Sequence, residues 1–284
     1  MTAPTSTDTR NNVKVVPNDK LYVSEPNPMW FGNRSNPTDD PSWTNKNWLK
    51  SRFHFSFAEY RNPKNSSYGV LRVLNDDLVQ PMRGFGAHPH ANMEIVTYIV
   101  NGKLTHEDSM GTSQSLGRGS IQFMTAGSGI THSEHNHTDK PLRFIQTWIV
   151  PERRGLSPNY GGYDASDKLV KNQVRHLASS IKDNANDTPV KLNQDVNCRA
   201  GELELGKSVS VDLPEGRQAY LLCVEGSLKV NGQALARHDA CEITSDGEAI
   251  VIEAVGVEDT ENGEVGHFLM FDMEEVEGSG RRDF

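Results

Sequence analysis

Residues 88–102, HPHANMEIVTYIVNG, begin with two histidines one residue apart and run into an apolar stretch closed by Asn-Gly. The apolar part reads as a buried strand. It is short, rich in β-branched and aromatic residues, and bounded by a turn signal. Residues i and i+2 of a strand face the same side, about 7 Å apart along the chain. His88 and His90 can therefore point together into whatever the strand encloses. The plainer alternative is a solvated turn at the head of a strand, and the flanking sequence has to decide between the two.

Outward from this stretch, GVLRVLNDDLV (69–79), KLTHEDSM (103–110), SIQFMTAG (120–127) and LRFIQTWIV (142–150) follow one another at short intervals. Such spacing predicts an antiparallel sandwich or barrel. Residues 151–190 carry Pro, Gly, Asn and Asp throughout, and the strand pattern then resumes in AYLLCVEGSLKV (219–230), EAIVIEAV (248–255) and HFLMFDM (267–273). The expected fold is all-β: two tandem antiparallel β-barrels of jelly-roll type preceded by an extended N-terminal arm. The expected divisions are an arm over 1–47, a metal-binding barrel over 48–160, a linker over 161–187 and a degenerate barrel over 188–284. In the arm, aromatics of WFGNRSNPTDDPSW (30–43) are placed to staple it to a core.

The halves resemble repeats of one unit. VTYIVNGKL (96–104) and YLLCVEGSL (220–228) share an apolar run, Gly and Leu. Setting Gly102 against Gly226 puts Asp212 opposite His88, Pro214 opposite His90 and Gln218 opposite Glu94, and Ile252 is matched to His132. The repeat keeps the strand pattern and loses the imidazoles, so the scaffold does not need them. A second stretch, TAGSGITHSEHNH (125–137), sets His132 and Glu134 in the same i, i+2 relation, 42 positions beyond His90. Six of the ten histidines fall between residues 88 and 137. Two facing strands would thus offer three imidazoles and one carboxylate. That mixed set suits iron, manganese, nickel, copper or zinc and is a poor match for calcium or magnesium. With four protein ligands an octahedral ion keeps two positions free.

Composition bounds the rest. The chain has 284 residues and a net charge of −9, with no apolar run near the roughly 20 residues a membrane span requires. Its start lacks the apolar core of a secretory signal. Cys198, Cys223 and Cys241 form no CxxC pair, which argues for a reducing compartment. The expectation is a cytoplasmic monomer, nuclear as well in a eukaryote, without a membrane partner. Residues 1–187 balance at +3 and residues 188–284 at −12. No basic footprint for direct nucleic-acid binding is visible, while the acidic half could offer a surface to a protein partner.

GFGAHPHANMEIVTYIVNGKLTHEDSMG (84–111), followed by GSIQFMTAGSGITHSEHN (119–136), closely resembles the pirin family of the cupin superfamily, and SRFHFSFAEY (51–60) is similar to its N-terminal signature. The close match spans roughly residues 50–150. The resemblance implies two cupin domains, with Fe2+ in the first and none in the second, and it assigns the ligands to His88, His90, His132 and Glu134. General cupin spacing would name Glu94 as the carboxylate ligand instead. The pirin pattern and the shared strand face of His132 and Glu134 favour Glu134, which leaves Glu94 a supporting role. The resemblance further implies a quercetin 2,3-dioxygenase-like enzyme that opens a flavonol with dioxygen and releases carbon monoxide. In that reading Glu134 also takes the proton of the substrate hydroxyl. The other implied role is an iron-dependent redox regulator of transcription factors. Of the remaining histidines, His54 is expected to be packed, His135 and His137 to be exposed, and His106 to lie near the pocket or in a structural turn.

Overall fold

Glu94–Asn101 is buried at every position but its last, whereas Ile130–Asn136 alternates buried and more open residues. A strand covered on both faces and a strand with one wetter face are what these two stretches should form. The computed structural model describes residues 13–33, 48–165 and 168–276. Its strands are β1 (Val13–Val16), β2 (Tyr22–Ser24), β3 (Leu49–Phe53), β4 (Leu71–Val79), β5 (Arg83–His90), β6 (Glu94–Asn101), β7 (Leu104–Asp108), β8 (Ser113–Leu116), β9 (Ile121–Thr125), β10 (Ile130–Asn136), β11 (Leu142–Ile149) and β12 (Asn159–Tyr163). They continue as β13 (Arg175–Ser180), β14 (Val190–Leu192), β15 (Val196–Leu203), β16 (Ser208–Val211), β17 (Arg217–Glu225), β18 (Ser227–Val230), β19 (Gln233–Ala236), β20 (Ala240–Thr244), β21 (Ile250–Gly256) and β22 (Gly266–Glu274). Among the described residues the helical pieces are two 3₁₀ turns, Asn18–Lys20 and Pro28–Phe31. The protein is all-β, as expected.

The chain forms two units. One gathers residues 21–169 and 176–197, the other residues 13–20, 170–175 and 198–275. In the first, the sheet β12-β9-β6-β11-β4-β3-β2 and the four-stranded sheet β5-β10-β7-β8 close over a core that includes Trp48, Ile99, Leu104, Leu116 and Phe144. In the second, the run β1-β20-β17-β22-β15 and the sheet β16-β21-β18-β19 enclose a core including Leu221, Leu228, Ile250, Ile252 and Met270. Each is a jelly-roll-like antiparallel barrel.

The N-terminal arm is extended but built into both units. Its β1 pairs antiparallel with β20, and its β2 pairs with β3. Phe31 does staple the arm, packing its ring on Trp48 and Phe85 at 5.5 and 5.4 Å. Trp30 is instead 70% exposed, and the rest of the expected staple, residues 34–43, lies outside the described residues. In the stretch read as connector and linker, β12 pairs with β9, and β13 and β14 pair in parallel.

The repeat is visible strand by strand, β6-β7 against β17-β18 and β10-β11 against β21-β22. Gly102 and Gly226 both take left-handed backbone, φ 78° and 69°, and both face a carbonyl oxygen at a distance no Cβ tolerates (2.6 and 2.5 Å). Only glycine turns the chain there. The pairing register corrects the matched positions, however. β10 sets Glu134 against His106 and His132 against His88. In the other unit, β21 sets Ile252 against Val230 and Ile250 against Val211. With Gly102 on Gly226, His106 corresponds to Val230. Ile252 is therefore the counterpart of Glu134, Ile250 that of His132, and Val211 that of His88. Leu213, two residues beyond Val211 as His90 is beyond His88, takes the place of His90. Four residues separate Leu213 from Gln218 where three separate His90 from Glu94, and this one extra residue displaced the ungapped match onto Asp212 and Pro214.

Candidate metal centre

β5 and β10 carry the four residues singled out by their spacing, and the pairing of these strands brings three of them into one cluster. His132 stands directly opposite His88. Between that pair and the next, Glu134 opposite Phe85, β5 has one residue more than β10. This β-bulge turns the Gly86 carbonyl to accept a hydrogen bond from Nδ1 of His88 at 2.7 Å. Bulges beside functional sites re-aim side chains in this way. The ring centroids of His88, His90 and His132 lie 4.5–4.8 Å apart, and one nitrogen from each falls within 4.8 Å of the others. A second grouping within the same limit joins His132 to His106 and Glu134.

The protonation pattern tests whether these residues fit a metal ion. Burial, reinforced by the neighbouring imidazoles, lowers the pKa of both His90 and His132 to about 3, so both are neutral at pH 7. With its Nδ1–H given to Gly86, His88 has Nε2 as the nitrogen left to bind an ion. His132 Nδ1 faces His106 Nδ1 at 3.4 Å, and His106 Nε2 lies 3.2 Å from the Asp108 carboxylate. A proton on His106 Nε2 for Asp108 and one on His132 Nδ1 for His106 leave His132 Nε2 bare. It faces His88 Nε2 at 3.1 Å. At that distance the two nitrogens need a positive centre between them, a shared proton or a metal ion. The same 3.1 Å is close to the edge, about 3 Å, that two nitrogens each roughly 2.1 Å from one ion span at a right angle. Imidazoles whose far nitrogens are held by a carbonyl or a carboxylate are the usual supports of a metal. The residues fit.

Glu134 is buried and accepts from both flanks: Gln122 Nε2 at 2.9 Å and Thr97 Oγ1 at 3.5 Å on Oε1, Gln146 Nε2 at 2.7 Å on Oε2. Trp148 Nε1 donates to Gln146 Oε1 and keeps that amide from turning round, while the single hydroxyl hydrogen of Tyr160 has both Gln114 Oε1 at 3.0 Å and Gln122 Oε1 at 3.2 Å within reach. Asn75, Gln146, Thr97 and Gln122 are successive register partners across β4, β11, β6 and β9, a polar row spanning the larger sheet. The spacing of the histidines gave no hint of these amides. Their signal was a Gln inside each of two largely apolar strands, SIQFMTAG and LRFIQTWIV.

Glu94 belongs to neither grouping. It is fully buried, and its Oε1 accepts from the backbone and side chain of Asn193 and from Thr125. His106 is buried and stacked on Tyr160 at 4.2 Å, and so stands behind His132. His54 is packed. His137 is exposed, but His135 is half-buried within β10. Beside the cluster opens a cavity lined by His88, His90, Glu134, Gln146 and Trp148 together with Phe31, Phe53, Phe57 and Phe85. Asp77 also reaches it. Burial, opposed by a hydrogen bond from Ser51, lifts its carboxyl to about 8. No helix among the described residues is long and apolar enough to cross a membrane.

Comparison with known proteins agrees with this geometry. Residues 37–149 match the family model described as Pirin, and residues 177–273 match that described as Quercetinase C-terminal cupin domain. A pirin-like protein of Caulobacter vibrioides is 36% identical over 230 residues, 79% of this chain and 95% of its own. The quercetin 2,3-dioxygenase of Escherichia coli is 34% identical over 234 residues, covering 82% and 94%. Among solved structures, YhhW from Escherichia coli is 29% identical with a TM-score of 0.75, covering 93% of this chain and 98% of its own. A second structure of that bacterial pirin, in complex with nickel(II), is similar at 28% identity and a TM-score of 0.74, covering 93% and 100%.

Proposed function

The chain belongs to the pirin family, and on that premise we propose that residues 48–160 form a cupin domain holding one Fe(II) ion through His88, His90, His132 and Glu134. Residues 188–284 form its metal-free, degenerate partner. The activity proposed is dioxygen-dependent ring opening of a flavonol of the quercetin type. One observation carries this reading: a cluster of three imidazoles, His90 and His132 held neutral by burial, stands beside a buried carboxylate, and His88, His90 and Glu134 line a cavity with aromatic walls. The nickel-bound relative and the relative named as a quercetin dioxygenase support it.

Iron at this site would supply the Lewis acidity that makes a substrate hydroxyl more acidic and the one-electron chemistry that dioxygen requires. The chain's own residues do the rest. Phe53, Phe57, Phe85 and Trp148 offer flat apolar faces to a planar substrate and keep water from it. Glu134 is placed to take the hydroxyl proton. Gln122, Gln146 and Thr97 hold its carboxylate in one orientation, so that little rearrangement accompanies the transfer. The test is to load the protein with iron anaerobically, add quercetin and then dioxygen, and assay carbon monoxide. Release in step with flavonol loss is expected, abolished in His132→Ala. Iron-loaded protein that leaves quercetin intact would overturn the dioxygenase reading.

A further inference from the structure

Two residues of β4, Asn75 and Asp77, share one face of the strand and reach the cavity, whose lining mixes aromatic rings with polar side chains such as Ser51, Glu134 and Gln146. Both are buried, at 4% and 3% exposure. Asp77 is engaged, since Ser51 of the adjacent β3 donates to its Oδ1. Asn75 is not. Its Oδ1 is fully buried and has no hydrogen-bond partner among the described residues. A buried amide carbonyl without a donor is costly, and an apolar side chain here would continue the wall that Phe53, its partner across β3, already makes.

The sheet offers a comparison. Along the same cross-strand row, Gln146, Thr97 and Gln122 are each occupied by Glu134. Their counterparts in the C-terminal barrel, found through the paired glycines and the strand register, are Met270, Leu221 and Cys241, all buried in its core. A polar row is thus not required by the fold. Three of its four members in the N-terminal barrel have a partner in Glu134, and the fourth, Asn75, lines the cavity with its side-chain carbonyl unpaired.

We propose that Asn75, seconded by Asp77, is the specificity-determining residue of the cavity, accepting a hydrogen bond from a hydroxyl of a planar polyhydroxylated aromatic other than the hydroxyl that meets Glu134. This rests on the cavity being the substrate site proposed above, but not on the reaction carried out there. A hydroxyl donor satisfies the orphaned carbonyl; an analogue lacking that hydroxyl leaves it buried and bare. Sites built to pair a ligand hydroxyl discriminate by this asymmetry.

The experiment compares quercetin with 3-hydroxyflavone, which keeps the flavonol skeleton and the 3-hydroxyl but lacks the other ring hydroxyls. Dissociation constants are measured under argon on iron-loaded wild type, Asn75→Leu and Asn75→Ser, with metal content and thermal midpoint as controls for folding. Wild type should favour quercetin by roughly 10- to 100-fold. In Asn75→Leu that preference should disappear through loss of quercetin binding, with 3-hydroxyflavone binding unchanged or improved. Asn75→Ser, which keeps a polar group, should retain part of it. An undiminished preference in both variants overturns the inference, as does a wild type that binds the two alike or binds neither. Because turnover is absent from the assay, failures separate. Selective binding that collapses in Asn75→Leu, without carbon monoxide release in air, sinks only the dioxygenase reading. Release with an unaltered preference sinks only this one.

Discussion

At Glu134 both carboxylate oxygens are already committed to N–H donors, and one of these, Gln146, has its orientation fixed from behind by Trp148. Glu134→Gln must turn its own NH₂ away from Gln146 and toward Gln122, whose amide then has to reverse to accept it, and the charge is lost as well. Metal affinity, measured by competition with a chelator, should fall by at least the roughly 10- to 100-fold typical of lost supporting groups. Turnover should fall by a further factor of about 10²–10⁴, the usual worth of a positioned base. Glu94→Gln should leave metal affinity unchanged, since Glu94 is held by Asn193 and Thr125 apart from the cluster. Metal loss in the Glu94 variant with full activity in the Glu134 variant would reverse the assignment. Asp77 gives a pH test. Its folded pKa of about 8 exceeds the unfolded 3.8, chiefly through burial. The native state then binds the extra proton, and the associated stability is complete below about pH 4 and lost as pH rises through 8. Asp77→Asn should flatten this slope. Its thermal midpoint, relative to wild type, should climb between pH 5 and pH 9, whereas parallel curves would show that the carboxyl is ionised throughout.

Among the elements, β10 was legible in the sequence because its alternation ITHSEHN fixes which side chains share a face, and His132 and Glu134 do. The bulge in β5 was not. One extra residue in a pairing leaves no mark in composition or period, yet it supplies the carbonyl that orients His88. The polar row was missed for a related reason: Gln122 and Gln146 are far apart in sequence and are joined only by register through Thr97. Gly84 lets β5 lie against β10 beside the cluster. A Cβ there would fall 2.3 Å from the Glu134 carbonyl oxygen and 2.5 Å from the His135 ring. Gly84→Ala must push the strands apart, at a cost of about 1–3 kcal/mol for overpacking. Chemical denaturation should show that loss together with reduced metal content. Wild-type stability with full metal would mean that the two strands tolerate separation without disturbing the site.

Across the whole molecule, one barrel design is used twice and filled differently. Val211, Leu213, Ile250 and Ile252 occupy the places of His88, His90, His132 and Glu134 and are buried at 5%, 2%, 1% and 0% exposure. The same positions thus hold a polar cluster in one unit and hydrophobic core in the other. The repeat and the loss of its imidazoles were readable from sequence, but the residues replacing them were not, because the longer turn before β17 shifts the first pair by one and the path from Val230 to Ile252 is six residues shorter than that from His106 to Glu134. Substitution should follow this division. Ile252→Ala should cost about 2–5 kcal/mol, the range for emptying a packed core site, with metal content retained. His132→Ala should change stability less in the metal-free protein while removing the ion. Equal destabilisation by the two would mean that the histidine cluster is core in its own right.

The most direct measurement is the metal-to-protein ratio, by elemental analysis, of wild type and of His88→Ala, His90→Ala and His132→Ala, each purified from iron-supplied cells. One equivalent in the wild type, falling to near zero in each folded variant, is the expected result. A metal-free wild type, a full equivalent surviving in all three variants, or two equivalents per chain would contradict a single centre built from these residues.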